Sequence, residues 1–453
     1  MMPTERLRVL NSRETKSGDY VLYWMQAAQR AEANPALQHA VRLANEQRRP
    51  CLAFFGLTER FPEANARHLA FMLEGLRETQ LALADRGVRL VVRRIQPDRG
   101  AVELGRAASL VVTDRGYLRI QKSWRERAAA ALACPLIQVE TETVVPVEKA
   151  SPKEEYSAAT FRPKIRKILD SSLAVSPDRK PLRDSLGWKG DSIDLENIED
   201  VLAGLKIDRS VGPSPFYRGG TEEAKRRFRL FLRERLDHFA DLRNNPTVDF
   251  LSHLSPYLHF GQISPAWAAA KAAASKSRGR EAFLEELVVR RELAANFVHY
   301  NGRYDSFESL PAWARTTLAR HAADPRPVLY TRAELEAGKT HDPCWNAAQR
   351  EMAVTGKMHG YMRMYWGKKI LEWSAAPEDA YATALYLNNK YEIDGRDPNG
   401  FAGVAWCFGK HDRPWGERPI FGLVRYMNDA GLRRKFDADR YVRNVAELAA
   451  RWE

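Results

Sequence analysis

The chain has 453 residues, with 71 Lys and Arg against 58 Asp and Glu, which gives a formal net charge of +13 at pH 7. This length can bury two or three domain cores, so folding requires no disulfide or metal, and four scattered cysteines without CxxC spacing argue against a zinc knuckle. The positive charge favours a polyanionic partner, because Lys and Arg gain free energy by releasing counterions from phosphates. Nucleic acid is the first candidate, and a basic surface without a partner is the alternative.

The N-terminal residues contain no apolar core of a signal peptide, and no stretch approaches the ~18 apolar residues of a membrane span. We therefore expect a soluble cytoplasmic protein with no membrane partner and no bound metal. We also expect it to be a monomer.

Residues 1–147 alternate short apolar runs with longer helical stretches, which is typical of a parallel sheet with right-handed crossovers. This predicts an open, Rossmann-like α/β domain, although the first strand lacks the GxGxxG turn of dinucleotide-binding proteins. The predicted strands are Tyr20–Trp24, Cys51–Phe55, Val88–Arg93, Leu110–Thr113 and Leu136–Val139. The predicted helices are Gln29–Gln47, Glu63–Arg86 and Ile120–Ala133.

Residues 148–216 are polar and rich in Pro, Ser, Asp and Lys, which predicts a long, partly ordered linker. From 217 to 453 the pattern is almost wholly helical and predicts an all-α domain, with Thr221 as the N-cap of its first helix. Its later predicted helices are Pro265–Ala274, Arg280–Val298, Trp345–Thr355, His359–Trp373 and Pro377–Asn389.

Three stretches of the helical part carry residues suited to chemistry. Lys357–Trp373 places Met, Tyr, Trp, Arg and His on one helix, and the spacing of Trp366 and Trp373 puts both on one face. A bulky core helix would give the same pattern.

The second stretch is Tyr386–Trp415, where Asp394-Gly395 and Asn399-Gly400 are predicted to interrupt the helix with loops that aim polar groups into a pocket. Its acids could equally serve only as caps of turns. The third stretch, Leu251–Ser264, opens a helix near Pro256 with two serines, which suits a pyrophosphate but is also an ordinary helix start.

Four motifs follow one another along the helical part: SHLSPYLHFGQIS, FLEELVVRREL, KMHGYMRMYWGKKILEW and LNNKYEIDGRDPNGFAGVAWCFGKHDRPWGER. In order and spacing they resemble the class II branch of the photolyase and cryptochrome superfamily, and the resemblance covers essentially the whole chain. It implies light-driven repair of cyclobutane pyrimidine dimers in DNA. Excited, reduced FAD would give an electron to a flipped-out dimer, and the electron would return after the ring opens.

The resemblance also implies which residues hold FAD. Arg363 and Asp394 match a charged pair near the isoalloxazine ring, and Asn388 matches the amide at its N5 edge, with Asn389 as the alternative. The sequence departs from the wider superfamily at Phe239, where a tyrosine is common. Phe239 lacks the hydroxyl with which that tyrosine would make a polar contact to the cofactor. The implied FAD-binding residues are Phe239, Leu251, Ser252, Leu254, Ser255, Arg363, Asn388 and Asp394.

For the lesion, the resemblance implies that Glu286 contacts the base edges, and we expect burial among apolar neighbours to favour its protonated form. Trp366, Trp345 and Trp373 match an electron path to the flavin, although packing alone would explain them. The implied DNA-binding residues are Arg243, Glu286, Met364, Trp406, Lys410, Asp412, Arg413 and Arg425.

Alternatives remain open from the sequence. A cryptochrome-type light sensor shares the scaffold, repair of the (6-4) photoproduct would need cavity histidines that are not at the matched positions, and a basic flavoprotein could have no role on DNA. A second, antenna chromophore is possible in residues 1–147, and the sequence does not decide its type.

Overall fold

The computed structural model describes residues 4–174 and 177–452. The first part of the chain forms one six-stranded sheet with strand order β1-β6-β5-β2-β3-β4. The strands are β1 (Leu7–Val9), β2 (Tyr20–Met25), β3 (Cys51–Gly56), β4 (Leu90–Arg93), β5 (Ala108–Asp114) and β6 (Leu136–Val139). Every pairing is parallel except that of β1 with β6. The expected parallel α/β sheet is confirmed, with one unpredicted antiparallel edge strand, β1.

Four helices flank the sheet, which explains why β2, β3 and β5 are buried along their whole length and why β2 and β3 are continuous apolar runs. Asn34 caps the first of them by accepting the Leu37 amide, with Pro35 next to it, so the predicted start at Gln29 is wrong. The third was not predicted. The four are α1 (Pro35–Glu46), α2 (Ala66–Ala84), α3 (Pro97–Gly105) and α4 (Arg119–Ala131).

The segment 148–216 begins within α5 (Val147–Ala150) and holds α6 (Ala158–Ser172) and α7 (Ile198–Gly204). Its chain lies against the sheet, since the Ile193 amide donates to the Val92 carbonyl at 2.7 Å. It also reaches the helical part, as described below for Glu154.

The remaining chain is helical, as expected. Its first half comprises α8 (Thr221–Leu230), a π-helical turn (Phe231–Arg235), α9 (Phe239–Leu242), α10 (Ser255–His259), α11 (Pro265–Ala273), α12 (Arg280–Leu284), a second π-helical turn (Glu285–Arg290) and α13 (Arg291–Tyr300). Its second half comprises α14 (Ala312–Arg320), α15 (Arg332–Glu336), α16 (Pro343–Thr355), α17 (Gly360–Trp373), α18 (Pro377–Tyr391), α19 (Pro398–Cys407), α20 (Asp429–Arg433) and α21 (Ala438–Ala450). Short 3-10 turns lie at Thr4–Arg6, Leu236–His238 and Phe307–Ser309.

Two predictions about helix boundaries are wrong. Gly220, rather than Thr221, is the N-cap of α8. Asn399-Gly400 does not form a loop but lies in the first turn of α19, because Asp397 accepts the Asn399 amide and Pro398 follows at the first helical position. The stop of α16 at Gly356, in the left-handed region at φ 84°, agrees with the sequence.

Buried arginines join the two parts of the fold. Arg30, 1% exposed, pairs with Glu142 at 2.7 Å and donates to the Gly261 carbonyl at 2.9 Å. Arg67, on α2, donates to the carbonyls of Ala353 at 2.7 Å and Tyr391 at 3.0 Å. Helix α2 therefore fixes the ends of α16 and α18, which carry the candidate site. Within the described ranges, no helix has the length and apolar character needed to cross a membrane.

Candidate active site

A cluster of four charged side chains lies where α18 ends beside α17. Lys357 Nζ is 3.1 Å from both Glu392 Oε2 and Asp394 Oδ1, and Arg363 is 2.9 Å from Glu392 Oε1. The structure thus brings Arg363 and Asp394 into one cluster, but the acid that pairs with Arg363 is Glu392. The sequence reasoning missed both Glu392 and Lys357, although both lie inside the quoted motifs.

The two acids of this cluster differ in electrostatics. Burial opposes ionisation of Asp394, but Lys357 and Arg363 outweigh it and hold the pKa of Asp394 below its usual value. Burial raises the pKa of the Glu392 carboxyl, against the effect of Arg363 and Lys357. The cluster therefore holds the Arg363 and Lys357 cations beside an ionised Asp394 at the place where α18 ends.

The surroundings of the cluster fit a flavin. Arg363 Nε is buried and has no hydrogen-bond partner among the described residues. Asn389 is engaged on both sides, by Glu63 at 2.5 Å and by the Arg396 amide at 2.9 Å, whereas Asn388 donates only to Asn389 among the residues described. Of the two asparagines, Asn388 therefore keeps an oxygen for a ligand.

The predicted phosphate-side residues lie around the start of α10. Neither the Ser252 nor the Ser255 hydroxyl bonds to another residue in the described part of the chain, and both are only partly buried. Leu254 is buried between them, and the Leu251 carbonyl accepts from Arg235 at 3.1 Å. Two serine hydroxyls are thus free to meet a polar ligand.

Phe239 lies in an aromatic core with Phe231 at 5.4 Å and Phe283 at 5.8 Å between ring centroids. Its ring also carries the Arg243 guanidinium at 5.7 Å. The Phe239 ring therefore packs against the Arg243 guanidinium in a cation–π contact.

Glu286 and Arg243 form an ion pair, so the structure joins two of the predicted lesion-side residues. The expectation that Glu286 is buried is wrong: its side chain is 41% exposed, because Leu287 and Val288 take the buried face of the π-helical turn. From the same turn, Arg290 lies 5.6 Å from the ring centroid of Trp406. Sequence reasoning missed Arg290, for which a basic residue four positions after Glu286 was the available signal.

Met364 and Trp406 are both partly exposed, and Met364 lies next to Cys407, whose Sγ is 3.9 Å from its sulfur. The two predicted cavity residues therefore come from neighbouring parts of α17 and α19. Together with Arg290 they provide an apolar and cationic surface.

The loop after α19 is only partly as expected. Lys410 is 7% exposed, pairs with Glu154 and donates to the Ser309 carbonyl at 3.1 Å, so its charge is turned inward in the free protein. Its contact with DNA stays a prediction. The Glu154 partner comes from the segment 148–216. Tyr156 from that segment also donates to the Asp412 carbonyl at 2.8 Å, and the loop is thereby held in place.

Arg413 and Arg425 do reach the surface, and they converge on Trp415. Their guanidinium carbons are 5.3 and 4.9 Å from its ring centroid, and the ring is 40% exposed. The Trp415 indole donates to the Asp412 carboxylate at 3.2 Å. Trp415 was missed, although a tryptophan between basic residues in a turn was visible in the sequence.

The three predicted tryptophans form a continuous row, each at most 1% exposed. Trp366 stacks on Trp345 with centroids 6.3 Å apart and planes 6° apart, and Trp345 meets Trp373 edge to face at 5.7 Å. The Trp345 indole donates to the Trp366 carbonyl at 3.0 Å. Trp345, from α16, thus bridges the two tryptophans of α17.

A separate cavity lies at the carboxyl ends of β2 and β3, the edge where open α/β sheets bind ligands. Phe61, Trp124 and Phe260 give it apolar walls, and Gln26 and Arg396 line it as well. Gln26 Oε1 and Arg396 Nε are buried without a partner among the described residues. In the same ranges, no three His, Cys, Asp or Glu side chains are grouped to hold a metal ion, and all four cysteines are buried free thiols.

Comparison with known proteins identifies the family. The model of the DNA photolyase family matches residues 21–182. A protein of Methanothermobacter thermautotrophicus named deoxyribodipyrimidine photo-lyase is 54% identical over 99% of this chain and 99% of its own length. One of the same name from Oryza sativa subsp. japonica is 42% identical over 98% of this chain and 91% of its own.

Among solved structures, the fold is similar to an archaeal photolyase from Sulfolobus tokodaii described with two FAD molecules, at a TM-score of 0.70 and 16% identity, over 94% of this chain and 89% of that one. This similarity supports the fold, and the full-length identities to the two named relatives establish kinship. The chain belongs to the DNA photolyase family.

Proposed function

We propose that this chain is a class II photolyase, which uses light and reduced FAD to split cyclobutane pyrimidine dimers in DNA. The observation that carries the proposal is the composition of α17. Within four residues this helix contributes Arg363 to the charged cluster, Met364 to the lesion-side surface and Trp366 to the tryptophan row. The names of the full-length relatives agree with it.

The residues of the charged cluster are suited to hold FAD, which when bound supplies the electron that splits the dimer. Lys357 and Arg363 favour negative charge on a neighbouring ring, and the oxygen of Asn388 can accept a hydrogen bond from its edge. Ser252 and Ser255 offer hydroxyls for the phosphates. The flavin would thus lie between α10 and α17.

The lesion would lie against Met364 and Trp406, where an aromatic face can stack on the flipped bases. Glu286 and Arg243 form an ion pair in the free protein, and each can exchange this contact for hydrogen bonds to the base edges. Flipping costs a few kcal/mol. The exposed Trp415 with Arg413 can offset that cost by stacking and phosphate contacts on the remaining strand.

The cavity at the carboxyl edge of the sheet is our candidate for a second, light-harvesting chromophore. Its aromatic walls suit a flat ring, and the buried unpartnered atoms of Gln26 and Arg396 suit polar groups on that ring. Absorbance of purified protein with a second band, lost in Trp124→Ala, would support this assignment. An unchanged band in that variant would contradict it.

The main test is repair of a duplex oligonucleotide that carries one thymine dimer. Purified protein is reduced chemically, mixed with the duplex and illuminated with blue light or kept dark. We expect restoration in light only. Dark repair, or no repair in light by protein with bound, reduced FAD, would refute the proposal, and the latter would favour a light sensor on the same scaffold.

Glu286→Gln tests the site itself. Loss of a hydrogen bond from a charged group costs about 1.5–3 kcal/mol, so repair at low substrate should fall roughly 10- to 150-fold. Glu281→Gln is the matched control, because Glu281 lies five residues earlier and its side chain is 73% exposed. Equal activity of the two variants would remove Glu286 from the site.

A further inference from the structure

The tryptophan row does not end at Trp373. The Tyr330 ring lies 5.4 Å from Trp373 in an edge-to-face contact, and the His341 ring lies 5.2 Å from it. Tyr330 and His341 also stack on each other at 5.9 Å, with planes 20° apart. Trp373 is buried, whereas Tyr330 is partly exposed and His341 is exposed. Tyr330 and His341 therefore lie between the tryptophan row and solvent.

The hydrogen bonds of this pair define where the phenol proton lies. The backbone amide of His341 donates to Tyr330 Oη at 2.9 Å, and Oη is 2.7 Å from His341 Nδ1. Because the His341 amide already donates to Oη, the hydroxyl of Tyr330 is left to donate its own proton to His341 Nδ1. A neutral imidazole then carries its proton on Nε2 and accepts at Nδ1.

We propose that His341 is the proton acceptor for Tyr330, and that the pair forms the terminal, proton-coupled step of the electron path. This inference rests on the proposed function, since the tryptophan row must first be oxidised by photoexcited FAD. The Trp373 radical cation takes one electron from Tyr330. The phenol O–H bond breaks, its proton goes to Nδ1, and the products are neutral Trp373, a neutral tyrosyl radical and a positively charged His341.

The proton transfer is what makes the step useful. Oxidation of a phenol is favoured when its proton can move at the same time to a base at hydrogen-bond distance. Once the proton has moved, return of the electron requires the proton to come back as well. Charge separation at Tyr330 should therefore outlast that at Trp373.

A purely structural role is the alternative, because the Tyr330 amide donates to the Trp373 carbonyl at 3.1 Å and ties the two residues together. That bond, and the bond from the His341 amide to Oη, are both made by backbone atoms. Replacing the His341 side chain leaves both in place. The imidazole can thus be removed without moving Tyr330 away from Trp373.

The experiment is transient absorption after a flash on FAD-loaded protein that starts with oxidised flavin. We expect a tyrosyl radical in the wild type, its absence in Tyr330→Phe, and unchanged kinetics in the control Tyr361→Phe, whose ring packs on Phe436 instead. In His341→Asn, which retains a hydrogen-bond acceptor but no base, tyrosyl formation should slow about 100-fold or more. Deuterium oxide should slow the wild-type step and have no such effect on the residual reaction of this variant.

Each outcome decides the proposal. Wild-type rates of tyrosyl formation in His341→Asn and His341→Phe would overturn the role of the imidazole, and a radical that stays on Trp373 in the wild type would overturn the whole step. Repair by chemically reduced protein is measured in parallel, because it bypasses the row. Loss of repair there would mean failure of the proposed function, whereas intact repair with altered tyrosyl kinetics isolates the terminal step.

Discussion

Substitution of Trp345 by Phe is the sharpest test of the electron path, because one residue of α16 bridges two of α17. In the row, ring centroids are 6.3 and 5.7 Å apart. Trp366 and Trp373 are separated by seven residues, or about 10 Å along the helix axis at ~1.5 Å per residue. Without an oxidisable ring at Trp345, the electron must cross that longer gap.

The variant should still fold. Phe fills most of the indole volume, and the lost buried hydrogen bond and contacts should reduce the free energy of unfolding by about 1–3 kcal/mol. We expect photoreduction of bound flavin, followed by absorbance with an external reductant, to be nearly abolished, while repair by chemically reduced protein persists. Trp267→Phe is the control, because Trp267 packs on Phe228 outside the row. Photoreduction of Trp345→Phe at the rate of this control would refute the path.

Three further predictions address stability and DNA binding. Arg30→Gln leaves Glu142 buried without its partner, so the free energy of unfolding in urea should fall by about 3–5 kcal/mol, and a loss under ~1 kcal/mol would contradict this role. Burial raises the pKa of Glu292 to about 8 from an ordinary 4.5. Between these two pH values the folded state keeps a proton that the unfolded state loses, so the free energy of unfolding should decrease as pH rises. Glu292→Gln should flatten this pH dependence in unfolding titrations. Trp415→Ala should weaken binding to dimer-containing duplex, measured by anisotropy at fixed salt, by about 1–3 kcal/mol. Trp452→Ala, at a tryptophan that is also exposed but lies just after α21, should have no effect.

The α/β part was predictable because its central strands are continuous apolar runs between helices. Leu136–Val139 falls on its predicted bounds. Leu7–Val9 was missed because three residues at a sheet edge carry no recognisable pattern. The helix Pro398–Cys407 was missed because the turn signal of Asn-Gly was given more weight than the Asp-Pro helix start just before it.

In the candidate site, residue types were readable and partners were not. Two acids two positions apart, Glu392 and Asp394, are equally plausible partners of Arg363 by spacing, and only the path of the backbone after α18 selects Glu392. Lys410 is held by Glu154, 256 residues away in sequence, so its burial leaves no local signature. The tryptophan row was predictable in membership, whereas its continuation to Tyr330 depends on a loop that periodicity does not describe.

Glu154 and Tyr156 bind the loop after α19 through an ion pair and a hydrogen bond, so the helical part of the chain depends on the segment 148–216. A fragment that begins near residue 217 would retain every side chain of the charged cluster and of the tryptophan row. Without Glu154, however, Lys410 would be a buried cation with no carboxylate partner. Without Tyr156, the loop that carries Trp415 would lose the hydrogen bond to the Asp412 carbonyl. A minimal repair enzyme built from this scaffold must therefore keep the residues around Glu154, and chimaeras that exchange the first half of the chain must carry a matching acid and phenol.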